Sequence, residues 1–258
     1  MSGIKIKQFF EQHYPLDLAY EWDNVGLQVG SLNKALSGVL IALDVTKEVI
    51  EEAIKEDCNV IISHHPLVFK PLSSINTDAY KGKMIEMLIK NDIAVYTSHT
   101  NYDLGHEGMN TVLANKLGLK NQAVLEYETE THGIGRIGEI DPLPLSEAIA
   151  YIKEKLHVDH ARLITKKNGK TVKTIAISGG SGAHHMFAAK FKGADLYVTG
   201  DVSYHHAHDM LQMGLTALDI GHYAERNFMA ALKKELTEFG IDAPIVTSRV
   251  DLDPFTFV

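Results

Sequence analysis

A single cysteine, Cys58, leaves no partner for an internal disulfide, and a reducing, cytoplasmic compartment is the expected home. No apolar run is long enough to span a bilayer, and the first residues lack the basic-then-apolar pattern of a secretory signal. Basic residues are outnumbered, 25 Lys and Arg against 33 Asp and Glu, for a net charge of −8. That balance argues against non-specific nucleic-acid binding, which needs a basic footprint. It leaves room for an anionic small substrate, because bound cations can invert the local field. No P-loop is present either.

The 258 residues are 45% hydrophobic and 22% charged, the make-up of a globular protein with ample core. Apolar runs at 39–45, 59–63 and 93–98 read as strands. Between them, Val49, Ile50, Ala53 and Ile54 predict a helix over 47–57 capped by Thr46, and Met84, Ile85, Leu88 and Ile89 predict a second. Met109, Val112, Leu113 and Leu117 continue the alternation, with Gly118 as a stop. Residues 131–145 hold Gly133, Gly135, Gly138, Pro142 and Pro144, which reads as a turn-rich connection near a domain boundary. A helix on Leu145, Ile149, Ile152 and Leu156 follows, then strands at 174–178, 194–199 and 215–220, then a helix over 224–239. This is α/β organisation with parallel strands.

The two halves repeat. Ile41 to Ile62 and Ile177 to Val198 are both 21 residues apart, and each interval runs strand, helix, strand. We therefore expect two similar α/β domains from an internal duplication, residues 1–125 and 126–258, with the last strand able to return to the first domain and a metal site in the cleft between them.

Histidine is abundant, 14 in all, and eight cluster after predicted strand ends: His64, His65, His99, His106, His205, His206, His208 and His222. Strand ends are where open α/β sheets place ligands. His64, His65 and His222 offer imidazoles, and Asp103 and Glu225 offer carboxylates, a mixed set suited to Zn, Fe, Mn or Ni. Neighbours on a regular strand face opposite ways, so His64 and His65 point to two divalent ions, one per histidine, with Glu225 bridging. The other reading of each is bland: a solvated loop at Asp103, His106 and Glu107, and a polar helix face at His205, His206 and His208. Asp201 and His205, four apart, read either as proton-transfer groups on a helix starting near Ser203, or, for Asp201, as that helix's cap. His99 reads as a group orienting Asp103 or as an extra ligand. Trp22 reads as a packing anchor, with a substrate-facing loop as the alternative. Arg226, next to Glu225, is the nearby cation for a phosphate; Arg136 is remote in sequence.

Taken together, Glu21-Trp22-Asp23-Asn24-Val25-Gly26-Leu27, Leu43-Asp44-Val45-Thr46, Ser63-His64-His65-Pro66-Leu67, Ser98-His99-Thr100-Asn101-Tyr102-Asp103, Thr199-Gly200-Asp201 with His205, and Gly221-His222-Tyr223-Ala224-Glu225 carry a resemblance over nearly the whole chain. The chain resembles the GTP cyclohydrolase 1 type 2-like family, the NGG-interacting-factor homologues. The resemblance implies a dinuclear centre held by His64, His65, Asp103, His222 and Glu225, and a ring-shaped homohexamer. It implies ring-opening hydrolysis of GTP with release of formate, metal-bound hydroxide being the nucleophile. The chain is too short for the regulatory domain some relatives insert between the halves. A metal-binding scaffold without turnover and a dinuclear phosphoesterase are the competing readings.

Overall fold

The computed structural model describes residues 1–166 and 169–258. The chain runs through helix α1 (Ile4–His13), strands β1 (Gly26–Val29) and β2 (Val39–Ala42), helix α2 (Lys47–Lys55), strand β3 (Val60–Ser63), helix α3 (Tyr80–Lys90), strand β4 (Ala94–Thr97) and helices α4 (Thr100–Leu104) and α5 (Met109–Lys116). There follow β5 (Lys120–Tyr127), β6 (Gly133–Pro144), α6 (Leu145–Leu156), β7 (Arg162–Ile164), β8 (Thr171–Ile177), α7 (Met186–Phe191), β9 (Leu196–Thr199), α8 (Tyr204–Met213), β10 (Ala217–Asp219), α9 (Phe228–Glu238) and β11 (Ile245–Thr247). Two compact units result, Met1–Tyr102 with Met229–Pro254, and Asp103–Phe228 with Phe255–Val258.

In the first unit the sheet order is β1-β4-β3-β2-β11. Strands β2, β3, β4 and β11 are parallel, and β1 runs antiparallel on β4. Every residue of β2, β3 and β4 is buried, which explains why they read as continuous apolar runs rather than as alternating ones. Val49, Ile50 and Ala53 of α2 and Met84, Ile85 and Leu88 of α3 pack with Leu40, Ala42, Ile61 and Val95 of the sheet. Helix α2 starts where its cap predicts: the Thr46 hydroxyl accepts from the Val49 amide at 3.3 Å. Cys58 is buried in this core, and burial, followed by the nearby Glu56, Asp57 and Glu52 charges, pushes its thiol up to about 11. The native protein is therefore expected to resist iodoacetamide at pH 8 over hours, and to react only when unfolded; rapid alkylation of native protein, read by mass spectrometry, would contradict this.

In the second unit the order is β5-β6-β8-β9-β10-β7. Here β8, β9 and β10 are the parallel trio, with β7 antiparallel on β10. The trio β2-β3-β4 with antiparallel β1 beside its third strand thus recurs as β8-β9-β10 with antiparallel β7, the structural form of the duplication. Its core joins Leu125, Ala176, Tyr197 and Ala217 of the sheet with Met186, Ala189 and Met210 of the helices.

Two expectations need correction. Residues 131–145 are mostly strand, not connection: β6 pairs antiparallel with both β5 and β8. Its glycines serve close backbone approach (a Cβ on Gly133 would sit 2.1 Å from the Glu126 carbonyl oxygen), and Pro142 falls where the register with β8 shifts. A division between residues 125 and 126 would also cut β5, which is hydrogen-bonded into the second sheet. The units instead part after Tyr102, and the chain re-enters the first unit at Met229, ending in β11 paired with β2.

Candidate metal centre

His64 and His65 lie just past the end of β3, and main-chain bonds fix them there. The His64 amide donates to the Ala42 carbonyl at 3.3 Å and the His65 amide to the Leu43 carbonyl at 2.9 Å. His99 stands at the end of neighbouring β4. One ring nitrogen from each of the three lies within 4.8 Å of the others. The strand alternation expected to separate His64 from His65 does not apply, because regular β structure stops at Ser63 and the two ring centroids sit 5.1 Å apart.

Each ring is oriented from behind through Nδ1. His64 Nδ1 meets the Ser98 carbonyl at 3.0 Å, His65 Nδ1 meets Asp44 Oδ1 at 2.8 Å, and His99 Nδ1 meets Asp23 Oδ1 at 2.9 Å. These partners only accept, so Nδ1 carries a proton, and the lone pair of the neutral ring then lies on Nε2, the form that binds a cation. Burial alone would raise the Asp23 carboxyl. Hydrogen bonds from His99 and Thr100, with the attraction of the His99 ring, hold it down at about 2. The Thr100 amide and hydroxyl reach Asp23 Oδ2 at 3.0 and 2.6 Å. His99 is thus positioned by Asp23.

In the second unit His222 follows β10 and opens the short 3-10 segment His222–Asn227. Its Nδ1 donates to Asp201 Oδ2 at 2.7 Å, and its Nε2 lies 3.1 Å from Glu225 Oε2. If the ring is neutral, a lone pair faces a carboxylate there, an opposition that a proton or a cation relieves. The imidazole and carboxylate donors in both units fit a divalent cation of the Zn, Fe, Mn or Ni type. Groups of histidine and acidic side chains able to hold a metal are therefore present in the chain.

Glu225 is buried beneath the loop after β8. That loop has to be glycine: a Cβ on Gly180, at φ +58°, would come within 2.6 Å of Glu225 Oε1. Buried Asn110 accepts from the Gly179 amide at 3.0 Å and donates to the Asp103 carbonyl at 3.1 Å, tying the Asp103 segment to the same loop. Buried Asp219 accepts from the Val202 amide at 3.1 Å and from the Gly221 amide at 2.9 Å, and so fixes the loops that carry Asp201 and His222.

Other expected residues sit differently. Asp201 is not the cap of α8. The Ser203 hydroxyl caps it by accepting from the His206 amide at 3.2 Å, and Asp201 stands outside the helix at φ +51°. His205 is exposed on α8, so the two do not share a helical face. Trp22 is no packing anchor, being 59% exposed. Arg226 donates to the His157 carbonyl at 2.7 Å and stacks on Tyr223, and Arg136 is buried. Sequence reasoning overlooked Asp23 and Asp44 as orienting carboxylates. The available signal was an acid in each motif beside a strand end.

No helix among the described residues is long and apolar enough to cross a membrane. The family model described as Duf34/NIF3 (NGG1p interacting factor 3) matches residues 1–254. A Lactococcus lactis protein named GTP cyclohydrolase 1 type 2 homolog is 40% identical, covering 98% of this chain and 99% of its own length. A Bacillus subtilis protein of the same name is 30% identical over 372 positions, covering 100% of this chain and 99% of itself, so it carries sequence with no counterpart here. The crystal structure of a Bacillus cereus protein related to NIF3 superposes with a TM-score of 0.92 at 33% identity, covering 100% of this chain and 99% of that one. The chain belongs to the Duf34/NIF3 family.

Proposed function

We propose that this protein is a metal-dependent hydrolase of nucleotides, with GTP as the first substrate to test. The observation that carries the reading is the backing of the imidazoles at the strand ends: Ser98, Asp44, Asp23 and Asp201 each take an Nδ1 proton, which puts the lone pair of the neutral ring on Nε2. Rings that only filled space would not need three carboxylates fixing their tautomer. In this reading His64, His65, Asp103, His222 and Glu225 hold two divalent cations. His99 stands as a further imidazole beside His64 and His65.

Bound divalent cations would supply Lewis acidity and lower the pKa of water. The protein's own part is to hold the ligands and to move protons. Asp201 and Asp23 keep His222 and His99 in one tautomer, and His205, exposed at the start of α8, is the proton donor or acceptor toward a substrate. Arg226 and Arg136 are committed to carbonyl acceptors, which weighs against a phosphoesterase built around either. The same reading carries the ring-shaped homohexamer, the small-molecule substrate and the cytoplasmic setting.

The test is metal analysis of purified protein by plasma mass spectrometry, then formate release from GTP. Wild type is expected to retain divalent metal, and His65→Ala and Glu225→Ala each to lose most of it, with formate release at least 100-fold lower. Metal content unchanged in both variants sinks the reading. Metal bound without turnover of any nucleotide leaves a metal-binding scaffold.

A further inference from the structure

We propose that Trp22, with Tyr20 and Phe69, forms a stacking subsite for the planar heteroaromatic ring of a ligand, beside the His64, His65 and His99 imidazoles. This deepens the hydrolase reading and rests on it for what the neighbouring imidazoles do.

A lone exposed apolar side chain needs no explanation. Trp22 is different because its surroundings are built. Tyr20 stacks on it at 5.6 Å with an interplanar angle of 19°, Phe69 meets it at 5.9 Å and 62°, and His99 at 6.2 Å and 74°. The indole nevertheless stays 59% exposed and Phe69 46% exposed.

Both loops carrying these rings are pinned. On one side Asp23 takes hydrogen bonds from His99 and from the amide and hydroxyl of Thr100, and Thr100 Oγ1 accepts from the Tyr20 amide at 3.1 Å. On the other side the Asn24 side chain donates to the Val68 carbonyl. Gln28 donates to the Asn24 carbonyl at 2.8 Å and accepts from the Val68 amide at 3.2 Å. Those bonds fix residue 68, and with it the ring of Phe69, relative to Trp22. Aromatic surface held rigid before binding loses little entropy on binding, which is how a recognition surface differs from an incidental one.

His99 joins the two features. Its Nδ1 is bound to Asp23 on the tryptophan loop, and its ring lies 5.1 Å from His64 and 5.6 Å from His65. A bicyclic ring laid on Trp22 therefore sits one imidazole away from the His64 and His65 nitrogens. A base offers a π-face and edge polar groups at this spacing; a sugar or a simple phosphate offers no π-face.

Trp22 is the chain's only tryptophan, so its emission reports this site alone. Guanosine is the probe and ribose the control, titrated into the full chain both metal-loaded and chelator-treated. Guanosine is expected to quench saturably and ribose not at all. By equilibrium dialysis, Trp22→Ala is expected to weaken guanosine binding about 5- to 100-fold, the range of base–aromatic stacking. Trp22→Phe should stay within about threefold of wild type, and both variants should keep wild-type metal content. Equal quenching by ribose, wild-type guanosine affinity in Trp22→Ala, or no guanosine binding in either metal state overturns the subsite. So does a change of oligomeric mass in Trp22→Ala with guanosine affinity unaltered, which would assign the rings to subunit contact. Guanosine binding of the expected pattern in a protein that holds no metal upholds the subsite while removing the hydrolase reading; metal without guanosine does the reverse.

Discussion

Asp44→Ala and Asp201→Ala are each expected to weaken divalent-cation binding by about 10- to 100-fold, the usual cost of removing a carboxylate behind a metal-binding histidine. Neither residue is in the proposed ligand set. Asp44 fixes His65 at 2.8 Å and Asp201 fixes His222 at 2.7 Å, in both cases through Nδ1. Without the acceptor, the ring is free to rotate or to place its proton on Nε2, where it blocks the cation. The two variants separate on stability. Asp201 sits at φ +51°, where alanine costs about 1 kcal/mol of backbone strain, and Asp44 carries no such constraint. Asp201→Asn, which tolerates that backbone and retains an acceptor oxygen, should recover most of the lost stability and part of the affinity. Competition against a fluorescent chelator reads the affinity, and thermal melts read the fold. Wild-type affinity in both alanine variants would mean the carboxylates do not govern these rings.

The strand ends, the helix over Lys47–Lys55 with its Thr46 cap, and the repeated trio were legible because burial on both faces and helical periodicity write themselves directly into apolar residues. What escaped was structure whose signal lies in a partner. Strand β5 is exposed along most of its length, so Lys120–Tyr127 shows no apolar pattern, and only its pairing with β6 makes it a strand. Strand β6 was hidden by glycines and prolines that tolerate close approach and a register shift. Trp22 reads as core by type, yet polar bonds from Asp23, Asn24 and Gln28 hold its loop at the surface. The candidate ligands stood out by type and position, whereas Asp23 and Asp44 acquire meaning only once residues 76 and 21 positions away are brought to their carboxylates. Asn110 and Asp219 likewise look ordinary in sequence and act through backbone groups that no pattern reveals.

Arg136→Met is expected to destabilise the second unit by about 3 kcal/mol, lowering its melting temperature by about 10 °C. Arg136 is buried, and burial, partly opposed by Glu107 and Tyr127, lowers its guanidinium pKa. Its five donors face acceptors: Nε reaches Thr111 Oγ1 at 2.9 Å, Nη1 the Gly133 and Gly135 carbonyls at 3.3 and 2.8 Å, and Nη2 the Gly105 and His106 carbonyls, both at 3.1 Å. Methionine fills similar volume but donates nothing, so four carbonyls each lose a charged donor, although Gly105 still accepts from the Gly108 amide at 3.2 Å and His106 from the Thr111 hydroxyl. A hydrogen bond to a charged donor contributes about 1.5–3 kcal/mol, and the acceptors' remaining donors, with water entering the neighbouring cavity of about 340 Å³, offset part of the sum. Lysine keeps the charge but presents one compact ammonium in place of a planar fork. Arg136→Lys should therefore recover less than half of the loss, which distinguishes geometry from charge. The damage should also be local. Arg136 holds the carbonyls of residues 105 and 106, two and three positions after Asp103, so amide exchange over 103–111 should accelerate well before that of β8 or β9. Exchange that rises evenly across the unit, or a melting temperature within about 2 °C of wild type, would show that the guanidinium is not what ties this loop to the sheet.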